Sequence, residues 1–309
     1  MLRVLGTGLA LALLCSALSS LSSAQQIHFR LLDRAAVETR LKSFSLKDPQ
    51  RETILKQMFL DSGCKPANIS EQAVQAKQPP NLICVLPGST SEIILVGAHF
   101  DHVAAGDGVV DNWSGASLLP SLLYSLNELP RRHTFVFVSF AAEEQDLVGS
   151  NFYAQKLTPE ERRKIHAMVN LDTLGLGSTE VWTSHADKPM LDALNAIAHA
   201  LKLPIQGMNV DGFGSSDSES FAKIGVPRVT IHSLTTETLP VLHSKQDKLS
   251  AMKLNDYYES YHLLAGYLAY LDVRLDPLPS PAAGPGADSN PSHPKEPAKP
   301  DQTGAAAPQ

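Results

Sequence analysis

The histidines and carboxylates that could do chemistry in this chain follow short β-branched runs. Ile93-Ile94-Leu95-Val96-Gly97-Ala98 leads into His99-Phe100-Asp101-His102, Phe135-Val136-Phe137-Val138-Ser139-Phe140-Ala141-Ala142 into Glu143-Glu144, and Met168-Val169-Asn170-Leu171 into Asp172. A segment carrying Asp111 lies between the first two runs. Acids gathered at a semi-buried edge are costly unless cations neutralise them. A metal cluster removes that cost. Imidazole and carboxylate donors without thiolate suit zinc in a catalytic role, with manganese or cobalt as workable substitutes.

Such donors need elements that bring strand ends to one rim, and open α/β sheets place their sites there. Helical signals alternate along the chain with β-branched runs, the pattern of an α/β layered domain. We read strands at 81–86, 93–97, 134–140, 168–171, 180–183 and 228–231, and helices at 114–129, 158–165, 188–201 and 255–271. Another helix opens at Asp48-Pro49, carries Ile54, Leu55, Met58 and Phe59 along one stripe and stops at Gly63. Pro120 inside the 114–129 helix predicts a kink or a late start. Continuous apolar runs such as 93–96 fit strands covered on both faces. The expected architecture is a mixed, mainly parallel central sheet flanked by helices on both faces, with the metal site at the C-terminal ends of the strands.

The 309 residues are 43% hydrophobic and 19% charged, enough for one large core. A net charge of −6 argues against nucleic acid or an anionic membrane as partner. Arg3, the apolar run from Val4 to Leu18 and the small residues Ser22-Ser23-Ala24 have the layout of a secretory signal peptide over 1–24. The run is too short for a stable membrane anchor, so no membrane association is expected once it is removed. A secreted or periplasmic location follows. The expected domain covers 25–273, and the Pro/Ala-rich stretch 274–309 has almost nothing to bury and reads as a disordered tail. An exported compartment permits Cys64 and Cys84 to pair, with two buried thiols as the alternative.

Five ordered blocks make the chemistry specific: Gly97-Ala98-His99-Phe100-Asp101-His102, Asp111-Asn112-Trp113-Ser114-Gly115, Glu143-Glu144 with Gly149-Ser150, Asn170-Leu171-Asp172, and His243-Ser244-Lys245-Gln246-Asp247. In content and order they resemble the co-catalytic two-zinc aminopeptidase family, which includes secreted leucine-type enzymes. The resemblance implies two zinc ions per chain: His99 and Asp172 on one, Glu144 and His243 on the other, and Asp111 shared between them. It further implies Glu143 as general base, Asp101 as the carboxylate that orients the cluster, and a cis peptide between Asp111 and Asn112. The implied substrates are peptides with a free N-terminus. Asp217 stands where relatives often read Ser-Asp-His, whereas this chain reads Ser216-Asp217-Ser218. Asp217 is therefore a candidate for the substrate pocket only.

Two other readings keep the same residues. Glutaminyl cyclases belong to the same structural clan and retain these ligand positions around one zinc, but commonly carry a second acid where Ser216 stands. A non-catalytic binding module with the peptidase fold would not need Glu143 and the whole ligand set. The remaining histidines, among them His133, His166, His199 and His262, read as surface or satisfied core residues.

Overall fold

The computed structural model describes residues 27–275, so the expected signal segment and most of the expected tail lie outside the described residues. Eight strands form one sheet: β1 Ile69–Gln72, β2 Asn81–Leu86, β3 Ile93–His99, β4 Thr134–Phe140, β5 Ile165–Leu171, β6 Thr179–Val181, β7 Ile205–Gly207 and β8 Arg228–His232. Their order across the sheet is β1-β2-β4-β3-β5-β8-β6-β7. The four central strands β4, β3, β5 and β8 run parallel, and antiparallel pairings join β1 to β2, β2 to β4 and β6 to β8. The mixed, mainly parallel α/β sheet read from the sequence is thus the observed one.

Parallel centres must be covered on both faces. Along β3, Ile94 and Val96 join the larger apolar cluster and Leu95 the smaller one, as the two-residue period of a strand requires. Helices α1 Arg34–Lys42, α2 Asp48–Asp61, α3 Ser114–Leu126, α6 Lys188–Leu201 and α8 Leu254–Arg274 pack on the first face. Helices α4 Val148–Lys156 and α7 Ser218–Ala222 pack on the other, and the short α5 Pro159–Lys164 leads directly into β5 with none of its residues buried. In α3 every residue but Tyr124 is buried. Its start is not late: the helix begins at Ser114 with Pro120 inside it. The buried stripe of α2 consists of Leu55, Met58, Phe59 and, unforeseen, Arg51.

Cys64, just after α2, is disulfide-bonded to Cys84 on β2. The C-terminal helix runs through Arg274, one residue past the expected end of the domain. Near that end, Asp272 accepts hydrogen bonds from the backbone N–H groups of Arg132 and His133 at 3.0 and 2.7 Å and faces His133 Nδ1 at 3.1 Å. These contacts tie α8 to the start of β4, at the end of the sheet away from the acids.

Candidate metal centre

Three parallel strands deliver the donors to one rim: His99 ends β3, Glu143 and Glu144 follow β4, and Asp172 follows β5. Asp111 and His243 arrive on loops, and their positions are set by side chains distant in sequence. Asn112, after the cis peptide at Asp111-Asn112, donates from Nδ2 to Leu171 O at 2.9 Å and accepts at Oδ1 from the N–H groups of Gly115 and Thr173 at 3.0 and 3.1 Å. This staples the Asp111 loop to the end of β5. A Cβ on Gly115 would lie 2.6 Å from Leu171 O, so glycine is what lets the two segments meet. From the other side Asp247 accepts from the N–H groups of Val110 and Asp111 at 2.7 and 3.3 Å. The His243–Asp247 block therefore brings both a donor and the brace for the shared acid.

Arg51 is fully buried beneath this loop, donating to Phe100 O and Asp107 O at 3.0 and 2.6 Å. Burial draws its guanidinium down to about 10 despite Asp48, Asp247 and Asp101 nearby. Asp101 accepts from the backbone N–H groups of Glu143 and Glu144 at 3.0 and 3.2 Å and sits 3.5 Å from His99 Nδ1. His102 points away and pairs with Asp48 at 2.8 Å, at the start of α2. Ala142, Thr173 and His243 hold φ of 54°, 55° and 51°, sparsely populated values for non-glycine residues. Such backbone is kept where surrounding contacts over-determine it.

Two oxygens of Asp111 face two different imidazoles: Oδ1 lies 3.3 Å from His99 Nε2 and Oδ2 3.3 Å from His243 Nε2. Glu144 Oε2 is 3.1 Å from His243 Nε2, and Asp172 Oδ1 is 3.7 Å from His99 Nε2. Two donors each about 2 Å from a tetrahedral zinc stand roughly 3.3 Å apart, so these separations fit ligands of common ions. The buried Glu144 Oε1 has no hydrogen-bond partner, as a donor reserved for an ion would not. Distance alone does not set Glu143 apart from the ligands, because it groups with His99 and Asp172, although its 3.9 Å to His99 is the longest of these separations.

The electrostatics are those of acids forced together. Burial, with Asp217, Asp172 and Asp111 adding to it and His99 opposing it, holds Glu143 well above the usual carboxylate range. Burial and the charge of Asp111 raise Glu144 to about 7. Asp111 is held below its ordinary value because contacts from His243 and His99 outweigh its burial. The contact with Asp111 lifts His243 to about 9.

The donors floor a cleft of about 210 Å³ whose other lining includes Asp146, Trp182, Val210, Phe213, Leu234 and Leu242. His232 also lines it but is satisfied on both nitrogens, accepting from Leu234 N–H at 3.0 Å and standing 3.0 Å from Met208 O; burial draws it down to about 4. Asp217 departs from the expectation of a pocket residue. Ser215 and Ser216 before it line the cleft, but its own side chain is fully buried behind them at the start of α7, and burial pushes it to about 7. The roles of Arg51 and Asp247 were not read from the sequence. For Arg51 a signal existed, since it lies on the stripe of Leu55, Met58 and Phe59.

Residues 81–268 match the model of peptidase family M28. An aminopeptidase of Pseudomonas aeruginosa is 39% identical over 88 residues, 28% of this chain and 16% of that protein. The aminopeptidase YwaD of Bacillus subtilis is 26% identical over 187 residues, 58% of this chain and 40% of its own length. The chain thus spans well under half of these relatives. Among solved structures, a zinc aminopeptidase from Bacillus subtilis superposes with a TM-score of 0.57 at 23% identity, over 62% of this chain and 49% of that one. A glutaminyl cyclase from an Acidobacteriales bacterium superposes with a TM-score of 0.67 at 18% identity, over 81% of this chain and 98% of that one. Both share the fold described above.

Proposed function

This chain belongs to peptidase family M28, and on that footing we propose that it is an exported, zinc-dependent exopeptidase that hydrolyses the N-terminal residue of peptides. The observation that carries the reading is Asp111, whose two oxygens stand 3.3 Å from His99 Nε2 and 3.3 Å from His243 Nε2. Five ligands leave each of two ions with three only if one is shared, and Asp111 has the geometry for that role. His99 and Asp172 would complete one zinc, Glu144 and His243 the other. When bound, the pair supplies Lewis acidity that acidifies a water and polarises the scissile carbonyl.

The remaining steps fall to the protein. Glu143, fixed through its backbone by Asp101, takes the proton of the attacking water and hands it to the departing amine. A floor of carboxylates, with Asp146 and Asp172 in the lining, suits the cationic α-amine of a free N-terminus. The Cys64–Cys84 bond accords with an oxidising, exported setting, and the run over 1–24 with the signal that would lead there. Retention of Glu143 with every ligand speaks against a binding module. The test is to remove metal with a chelator, follow release of leucine from a leucyl peptide, and restore zinc. Activity should vanish and return with close to two zinc equivalents bound; activity in protein holding no metal would end the proposal.

A further inference from the structure

Two large apolar side chains are strongly exposed among the described residues, Leu46 and, at 65%, Phe213. Phe213 is the one that lines the cleft. Its loop is held at both ends and free between them. On the N-terminal side, Asn209 Oδ1 accepts from Thr183 Oγ1 at 2.7 Å and from the Ser184 N–H at 2.9 Å. Asp211 accepts from Ser184 Oγ at 2.8 Å and faces His185 Nε2 at 2.9 Å. His185 stacks in turn on Trp182, ring centroids 4.1 Å apart, and Trp182 is itself part of the cleft wall. On the C-terminal side, the buried Ser216 hydroxyl bonds those of Ser218 and Thr230 at 2.9 and 3.1 Å.

The tip has no such ties. Phe213 N–H donates to Val210 O at 3.0 Å, closing a turn with Gly212 at φ +85° in its third position, where a turn of this kind needs glycine. Neither Gly212 nor Gly214 has an atom within 4 Å of the place a Cβ would take, so open space flanks the ring on both sides in the chain. A phenyl ring left in water gains free energy once apolar surface comes beneath it. The lining offers that surface from Trp182, Val210, Leu234 and Leu242, and a substrate side chain would complete it.

We propose that Phe213 is a specificity-determining residue that closes over the first side chain of the substrate, favouring apolar chains long enough to reach it over alanine. The inference rests on the exopeptidase reading. Its test uses the zinc-loaded protein and its Phe213→Ala and Phe213→Leu variants. For each, kcat/KM is measured on leucyl- and alanyl-p-nitroanilide, and Kd for leucine and alanine hydroxamates. In Phe213→Ala the preference for leucine over alanine should fall by about tenfold, as loss of an apolar contact does, in both measurements and with zinc content unchanged. Phe213→Leu should restore most of it. An unchanged leucine-to-alanine ratio in both measurements would overturn the assignment. Absent turnover, with a hydroxamate preference that Phe213→Ala removes, would count against the exopeptidase reading and uphold Phe213 as the selector.

Discussion

Asp101 Oδ1 accepts the backbone N–H of Glu143 at 3.0 Å. One buried carboxylate thereby fixes the turn that aims the candidate base, while its other oxygen takes the N–H of Glu144 and Oδ1 stands 3.5 Å from His99 Nδ1. Replacing it with asparagine puts an N–H donor against one of two N–H donors. Asp101→Asn should lower activity or zinc affinity by about 10–100-fold, as loss of outer-shell support does. Steady-state kinetics with a zinc titration checks this; a variant with wild-type values in both would show that the turn holds without it.

Glu143 and Asp111 have separable roles in this arrangement. Glu143→Ala should keep nearly all its zinc while losing about 10²–10⁴-fold in kcat, the usual contribution of a general base. Asp111→Ala, which removes the acid facing both His99 and His243, should lose metal first. Metal analysis of the two purified variants decides it, and equal metal loss would refute the division.

Asp272 makes a prediction about pH. Burial raises its pKa, but hydrogen bonds from His133 and Arg132 outweigh that and hold it below its ordinary value. A carboxylate with a depressed folded-state pKa stabilises the fold above its unfolded value and loses that contribution as pH falls through the folded one. Asp272→Asn should therefore cost about 1–2 kcal/mol at neutral pH, and the difference from wild type should shrink as pH drops below the ordinary aspartate range. Urea unfolding of the metal-free proteins at neutral and acid pH measures it; a difference that does not change with pH would contradict the assignment.

The central sheet was legible because its strands are continuous apolar runs with polar ends, so period and punctuation agreed. The grouping of His99, Asp111, Glu144, Asp172 and His243 was legible because each stands one or two residues past such a run or inside a short block. The edge elements were not. β1 reads Ile-Ser-Glu-Gln, β7 is three residues long and α1 buries only Val37 and Leu41; these take their form from neighbours rather than from their own pattern. Asp247 and Asn112 act across 136 and 59 positions of chain, a relation no local pattern carries. The burial of the Asp217 side chain is hidden from the sequence for the same reason, since it depends on how α7 packs.

The chemistry itself is tested most directly by product masses. Leu-Ala-Ala, its N-acetylated copy and Gln-Ala-Ala are incubated with the zinc-loaded protein and followed with time. An exopeptidase acting on a free N-terminus should release leucine from the first peptide and leave the acetylated copy whole. Loss of ammonia from the glutamine peptide, with the leucine peptide untouched, would contradict this and assign the site to cyclisation.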